Sequence, residues 1–407
     1  MAVVLETKTD HNRPQKPQLW TLNFFLIFFS TLCMFIAFHC LHPSLPIYIE
    51  RFSGSTRFAG LALTSLALAA IIARPTTGWA LDKYGRKAIF IGGLFLFMVP
   101  MVVYIWLVPV VMLIALRFLQ GIGWGIGSTA SSTVASDIVP WQRMGEGMGY
   151  YSLTMSISMA FSPAMALWLI DNYSFRELFI VCSLLSFISM LLALLIKYPR
   201  TEQARNKPAP SYALMEKAAL QPAAVILFVL FTYSALISFL PLYIREQGMA
   251  TAGYFFTALA LTTFIARPLS GILVDRAGRK GFDLSVIIGT IASAAALPVL
   301  AQTSTLTHII AGGLLYGIGF GFIQPTMLAL AIRSVPSNKK GAANATFFTA
   351  IDIGAATGAL FWGFIAAAYG YKILFNLTVI PVVLALVIYF AWRNPTDISQ
   401  QDTPPAP

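Results

Sequence analysis

Apolar residues run through this chain in long stretches, not in the two-residue alternation of a half-buried strand. Polar breaks separate them, and most stretches reach the roughly 20 residues that a helix needs to cross a bilayer. The pattern predicts helices over residues 19–48, 56–81, 87–106, 109–137, 143–170, 176–197, 219–245, 250–275, 281–302, 304–333, 340–369 and 371–392. The shortest break is Leu107-Val-Pro109, which leaves almost no loop. A polar stretch over 198–218, carrying Pro199, Pro208 and Pro210, divides the helices six and six and reads as a linker between units 19–197 and 219–392. Residues 1–18 form a polar amino-terminal segment, and 393–407 reads as a disordered, proline-rich tail.

The two units repeat each other. Ala73-Arg-Pro-Thr-Thr-Gly-Trp-Ala-Leu-Asp-Lys-Tyr-Gly-Arg-Lys87 returns as Ala266-Arg-Pro-Leu-Ser-Gly-Ile-Leu-Val-Asp-Arg-Ala-Gly-Arg-Lys280, an offset of 193. Gly121-Ile-Gly-Trp-Gly125 returns as Gly317-Ile-Gly-Phe-Gly321 at offset 196, and Val134-Ala-Ser-Asp-Ile-Val-Pro140 returns as Leu330-Ala-Ile-Arg-Ser-Val-Pro336 at that same offset. Six spans return the chain to its starting side, so the repeats run parallel. A duplicated half in an apolar chain points to a transporter, because alternating access is commonly built from repeats that rock about a shared site.

Composition narrows the class. The chain is 57% hydrophobic and 11% charged, against about 25% charged for a soluble domain. It carries a net charge of +11, which the positive-inside bias accounts for without nucleic acid. With the amino terminus placed in the cytoplasm, only Arg51, Arg57, Arg176, Arg245 and Lys372 fall on the outer side, and Arg74, Arg117 and Arg267 fall within spans. All other lysines and arginines are then cytoplasmic, with both termini. Cys33, Cys40 and Cys182 lie in apolar runs, which disfavours disulfides and a metal site. No small-residue cleavage pattern precedes the first span, which is expected to act as the insertion signal itself. No P-loop, Cys/His metal spacing or Gly-x-Ser-x-Gly elbow is found, so neither an enzyme nor an ATP-driven pump is expected.

Between the second and third helices lies Gly78-x-x-x-Asp82-Lys83-x-Gly85-Arg86-Lys87, and its second copy is Gly271-x-x-x-Asp275-Arg276-x-Gly278-Arg279-Lys280. Gly78 lets a neighbouring helix approach closely. Asp82 suits the positive end of a facing helix. Gly85 permits a tight turn. This motif resembles the loop signature of the major facilitator superfamily, and the chain as a whole is most similar to its twelve-helix bacterial drug/proton antiporter branch. The resemblance implies an all-α membrane protein, with twelve transmembrane helices in two pseudo-symmetric six-helix bundles. It implies that helices 1, 4, 7 and 10 line a central cavity, while helices 2 and 11, and 5 and 8, meet between the bundles. The motif residues Gly78, Asp82, Gly85, Arg86, Gly271, Asp275, Gly278 and Arg279 would form a conformational latch, with Asp82 facing the start of helix 11 near Gly341.

Arg117-x-x-Gln120-Gly121-x-Gly123 on the fourth helix is similar to a motif of proton-coupled facilitators. An arginine inside a span costs about 2.5–3.5 kcal/mol, and its counterpart at offset 196 is Gly313, so the scaffold does not need the charge. Arg117, Gln120 and Trp124 share a helix face and are candidates for the cavity wall. The fifth helix has Phe161-Ser162-Pro163 where the antiporter branch has Gly-Pro, which weakens the match to antiport.

Asp352 is the lone acid well inside a predicted span, and an intramembrane carboxylate is a functional candidate by default. Burial opposes a carboxylate's charge and a nearby cation favours it, so a moving cation could switch the proton. Arg74 and Asp352 lie at similar depths, about 12 and 16 Å from the cytoplasmic ends of their helices at 1.5 Å per residue. An Arg74–Asp352 pair across the interface is therefore expected, with Arg74, Asp352 and Arg117 as the proton-coupling candidates. Arg267 repeats Arg74, but Ser156 stands where Asp352 would repeat. Weaker cavity candidates are Tyr233, Tyr243, Tyr316, Phe320 and Gln324, with His39 as a titratable one.

The expected function is secondary active, proton-coupled efflux of a small amphipathic molecule. The alternative is proton-coupled transport of a specific metabolite or a metal-chelating small molecule. The expected partners are that substrate, protons and membrane lipids, with no nucleic acid. No cofactor or metal is expected, the energy coming from the proton gradient. The expected setting is a monomer in the inner membrane. A receptor on the same fold would call for long signalling extensions, which the sequence does not show.

Overall fold

A computed structural model describes residues 17–53, 56–198, 215–249 and 252–392. The expectations for most of 1–18 and of the linker, and for the tail 393–407, fall outside the described residues. Within them the chain forms α1 (Leu22–Ser53), α2 (Thr56–Tyr84), α3 (Arg86–Tyr104), α4 (Val110–Ile138), α5 (Met144–Asn172) and α6 (Phe175–Leu195). The second unit forms α7 (Leu220–Glu246), α8 (Ala252–Ala277), α9 (Arg279–Ala301), α10 (Leu306–Arg333), α11 (Lys340–Leu377) and α12 (Val379–Ala391). No strand occurs among the described residues.

Eleven of these helices are long and apolar enough to cross a membrane, and α12 is shorter. The last two spans divide at the expected place, residue 370. Gly370, at φ 79° and ψ 170°, breaks the run Lys340–Leu377 into two helical pieces. The chain then continues as helix from Tyr371, and is interrupted once more at Thr378, whose dihedrals remain helical (φ −64°, ψ −12°). Pro381 explains the second interruption: it has no N–H to give the Leu377 carbonyl, four residues back. Residues 371–391 thus make up the twelfth span.

α1–α6 and α7–α12 repeat one helix arrangement. α2 packs on α4 and α11, α5 packs on α1 and α8, and α11 packs on α7. Two seams therefore join the units, α2/α11 and α5/α8. Small residues set how near they come. A Cβ placed on Gly78 would lie 2.8 Å from the Gly341 carbonyl, and one on Gly271 would lie 2.2 Å from that of Gly145. Each seam crosses where two backbones touch, as membrane helices do when packing replaces the hydrophobic effect.

Candidate functional site

Each seam is latched at the face carrying the Gly-Arg-Lys loops. Asp82 Oδ1 accepts from the Gly341 N–H at 2.9 Å and Oδ2 from that of Ala342 at 2.9 Å. Asp275 repeats the arrangement, accepting from Gly145 at 2.8 Å and Glu146 at 2.7 Å. These are the orphan N–H groups of the first turns of α11 and α5, where a carboxylate also meets the positive end of the helix dipole. Gly85 and Gly278, at φ 90° and 50°, make the turns that follow.

The cations that hold the two aspartates differ. Arg86 donates to Asp82 at 3.0 Å, to Asp137 at 2.9 Å and to the Ser337 carbonyl at 3.1 Å. Lys340 reaches Asp137 at 3.2 Å and the Ser136 carbonyl at 2.8 Å, and Ser132 donates to Asn344 at 2.6 Å. At the other seam the cation is not Arg279, for which the described residues show no ion pair, but Arg333, 2.6 Å from Asp275. Asp137 and Arg333 occupy the same repeat position. The sequence alignment at offset 196 displayed that exchange of charge, but only the fold shows that both residues face the latches.

Beyond the latches lies a cavity of about 490 Å³. On α2 its wall runs from Leu63 to Arg74 and the latch follows at Gly78; on α11 the latch comes first and the wall runs from Phe347 to Ala359. The loop face is therefore shut and the cavity stands on the opposite side. Its wall is mostly apolar and aromatic, and among the described residues Arg74 and Asp352 are the only Arg, Lys, Asp or Glu in it.

Arg74 and Asp352 join α2 to α11. Arg74 Nε donates to Asp352 Oδ2 at 2.7 Å and a terminal nitrogen donates to Oδ1 at 3.3 Å, a two-point contact suited to a planar guanidinium. The other terminal nitrogen donates to Ser128 at 3.0 Å and Thr129 at 3.1 Å on α4, and the group sits 5.1 Å over the Phe348 ring. Arg74 is 2% exposed and Asp352 19%, so the cavity meets the carboxylate side of the pair. Pro75 follows Arg74 directly, as Pro268 follows Arg267, and each proline leaves the carbonyl four residues back without its helical partner.

Arg267 shows what the frame becomes without an acid. It donates to Gln324 Oε1 at 2.5 Å and to the Ser152 carbonyl, and lies 5.7 Å over the Phe320 ring. No carboxylate pairs with it among the described residues. Ser128 and Gln324, which hold the two arginines, are themselves related by the offset of 196.

The other candidates divide. Trp124, Tyr233, Gln324 and His39 line the cavity. Trp124 stacks on Phe38 at 3.6 Å, and His39 Nδ1 lies 2.9 Å from the Phe35 carbonyl and 3.1 Å from Ser158. Arg117 and Gln120 do not reach the cavity. Both are fully buried, with Arg117 donating to Gln120 at 2.8 Å. Gln120 also accepts from the Tyr104 hydroxyl on α3 at 3.4 Å. Tyr316 and Phe320 stand behind Tyr233, their rings stacked on it at 6.1 and 4.7 Å. Tyr243 donates to the Ala301 carbonyl at 2.9 Å and lines a separate depression with His308 and Lys372. Sequence reading passed over Phe35, Phe38, His42, Met155, Phe347 and Phe348 in the cavity wall; inside an apolar span nothing marks which ring turns inward. No cluster of three metal-binding side chains occurs among the described residues.

Two repeated helix bundles, latched at one face about a central cavity, are the architecture of a multi-pass membrane transporter. The model of the Major Facilitator Superfamily matches residues 27–359 and 284–406, and the chain belongs to that superfamily; it is a transporter and not an enzyme. The multidrug resistance efflux pump PmrA of Streptococcus pneumoniae is 23% identical over 88% of this chain and 93% of its own. The multidrug resistance protein MdtG of Serratia proteamaculans is 24% identical over 94% of this chain and 97% of its own. Among solved structures, the human organic anion transporter MFSD10 (TETRAN) aligns at TM-score 0.79 and 16% identity, over 92% of this chain and all of its own. A bacterial homologue of the iron transporter ferroportin, in an outward-facing state, aligns at 0.77 and 14% identity, over 91% of this chain and 99% of its own. At such identities the structures speak to the fold alone.

Proposed function

We propose that this protein is a secondary active transporter that couples proton entry to export of a small amphipathic molecule by alternating access. The observation that carries this reading is the Arg74–Asp352 contact, an acid and a base clamped across a seam in the cavity wall. In this reading the loop face is cytoplasmic, both termini lie on the cytoplasmic side of the inner membrane, and the described conformer faces outward. A proton from outside reaches Asp352, which keeps 19% of its side-chain surface open. The neutral acid no longer holds the guanidinium by charge, so α2 and α11 are free to part. The dipole latch at Asp82 joins the same two helices and is worth only about 0.3–1 kcal/mol, or ~2 when partly buried. Loss of the proton on the cytoplasmic side restores the pair and reseals the seam.

Kinship with multidrug efflux pumps supports export, as does the apolar, aromatic wall, which suits an amphipathic ligand. The second reading, proton-coupled movement of a specific metabolite, is favoured by Arg74 itself: it covers the carboxylate that a cationic drug would seek. The test is purified protein in liposomes under an imposed proton gradient, with pooled amphipathic compounds and metabolites offered on either side. Gradient-dependent movement of a compound against its own gradient is expected. Movement of compounds that ignores the proton gradient would remove the coupling claim.

A further inference from the structure

We infer that the substrate is an organic anion, and that its negative group is received by the Gln324 amide, held in place by Arg267. The inference rests on the cavity being the transport site, and it holds for either direction of transport.

The argument begins with the orientation of one amide. A guanidinium has only donors. Because Arg267 donates to Gln324, the amide oxygen must be the end that faces Arg267. Its NH2 end is thereby turned the other way, and Gln324 lines the cavity. The nitrogen's one contact is the Met155 sulfur at 3.6 Å, a weak acceptor that leaves donor capacity unused. The cavity thus presents a fixed N–H donor with a buried cation directly behind it.

Charge points the same way. The two arginines occupy one repeat position, yet only Arg74 is neutralised by an acid. Ser156 stands at the counterpart of Asp352, and Arg267 is 1% exposed with no carboxylate among the described residues. A buried cation without a counter-ion is costly, and an anion bound in front of that single amide would relieve the cost. The body of the ligand would rest on the Tyr233 ring, which Phe320 backs at 4.7 Å. A cationic ligand would instead find a buried arginine behind the amide on one wall and an acid already bridged on the other. Arg267 is therefore a positioning residue, acting through Gln324.

The experiment measures binding, not flux, so it is independent of proton coupling. Purified protein is titrated with 2-naphthoate, 2-naphthamide and 2-naphthylmethylammonium, and affinity is read from ligand-dependent thermal stabilisation. A hydrogen bond to a charged group predicts that naphthoate binds about tenfold or more tightly than the ammonium compound. Gln324→Glu gives Arg267 a carboxylate and removes the donor, so it should abolish the preference for naphthoate while 2-naphthamide still binds. Loss of the preference with the neutral compound still bound is a readout that a damaged fold cannot mimic. Gln324→Leu should weaken naphthoate binding about tenfold without favouring the ammonium compound. The inference is overturned if naphthoate does not bind, if the ammonium compound binds equally well or better, or if Gln324→Glu leaves the preference unchanged. Failure here with proton-driven transport intact would reject the substrate class alone. Anion binding with no proton-driven flux would reject the coupling mechanism alone.

Discussion

The α2/α11 and α5/α8 seams are built from one repeated plan and carry different charges. Both cross at paired glycines, both end in an aspartate on a helix amino terminus, and both hold an arginine beside a proline. At α2/α11 the arginine meets Asp352, and the latch is a four-residue network of Asp82, Arg86, Asp137 and Lys340. At α5/α8 the arginine meets an amide and a carbonyl, and the latch aspartate meets Arg333. What the repeats share is the scaffold that lets two bundles rock. What they do not share is where a proton and a ligand can act. In the proposed mechanism proton coupling belongs to one seam and ligand orientation to the other.

The largest effect should come from the paired arginine. Arg74→Gln strands a carboxylate in the cavity wall. Breaking a buried pair costs about 3–5 kcal/mol, and the partial exposure of Asp352 places this case near about 3. Arg267→Met removes a charge that no acid offsets, so the loss should stay below about 1.5 kcal/mol. Equilibrium SDS titration of the two variants compares them directly, and equal losses would erase the distinction between the seams.

A smaller contrast is expected at the latches. Arg86→Ala leaves Asp82 and Asp137 facing each other without their shared cation and should cost about 2 kcal/mol. Arg279→Ala, its repeat partner, should fall within about 0.5 kcal/mol of the parent. The same titration measures both. If Arg279→Ala proved the more damaging, Arg333 would not be the cation that serves the second latch.

The smallest effect should be Asp82→Asn. Arg86 keeps Asp137 but loses its ion pair with Asp82, and the charge–dipole contact of about 0.3–1 kcal/mol is the part that joins α2 to α11, so cysteines at the loop-face mouth should be labelled roughly two- to fivefold faster. Unchanged labelling would remove Asp82 from the gating step.

The sequence showed the scaffold through counting. Repeat offsets, apolar run lengths and rise per residue are one-dimensional quantities, and they set Arg74 and Asp352 at similar depths; that helices 2 and 11 meet, and with it the aim of Asp82 at Gly341, came from the family resemblance of the loop motif. Rotation about a helix axis is not one-dimensional in this sense. Arg117 and Gln120 share a face with Trp124, yet of the three the cavity sees only Trp124; Arg117 turns to Gln120, which Tyr104 of α3 also holds. Tyr316 and Phe320 likewise stand one layer behind Tyr233. Within a span apolar on all sides, no amphipathic pattern tells the inner face from the outer one. The latch partners Asp137, Lys340 and Arg333 escaped notice for another reason: positive loops are common to membrane proteins, and only proximity shows which charges meet.

The central claim is that Asp352 carries the coupling proton. Its most direct test is proton-linked flux and thermal stability measured on one preparation of Asp352→Asn in liposomes. The amide is close in shape to the acid and cannot take up the proton. The account predicts a folded variant whose gradient-driven transport falls to the level of empty liposomes, while exchange that requires no net proton movement continues. A stable variant with full, pH-dependent, gradient-driven transport would contradict it, and His39 would then be the next titratable group of the cavity wall to test.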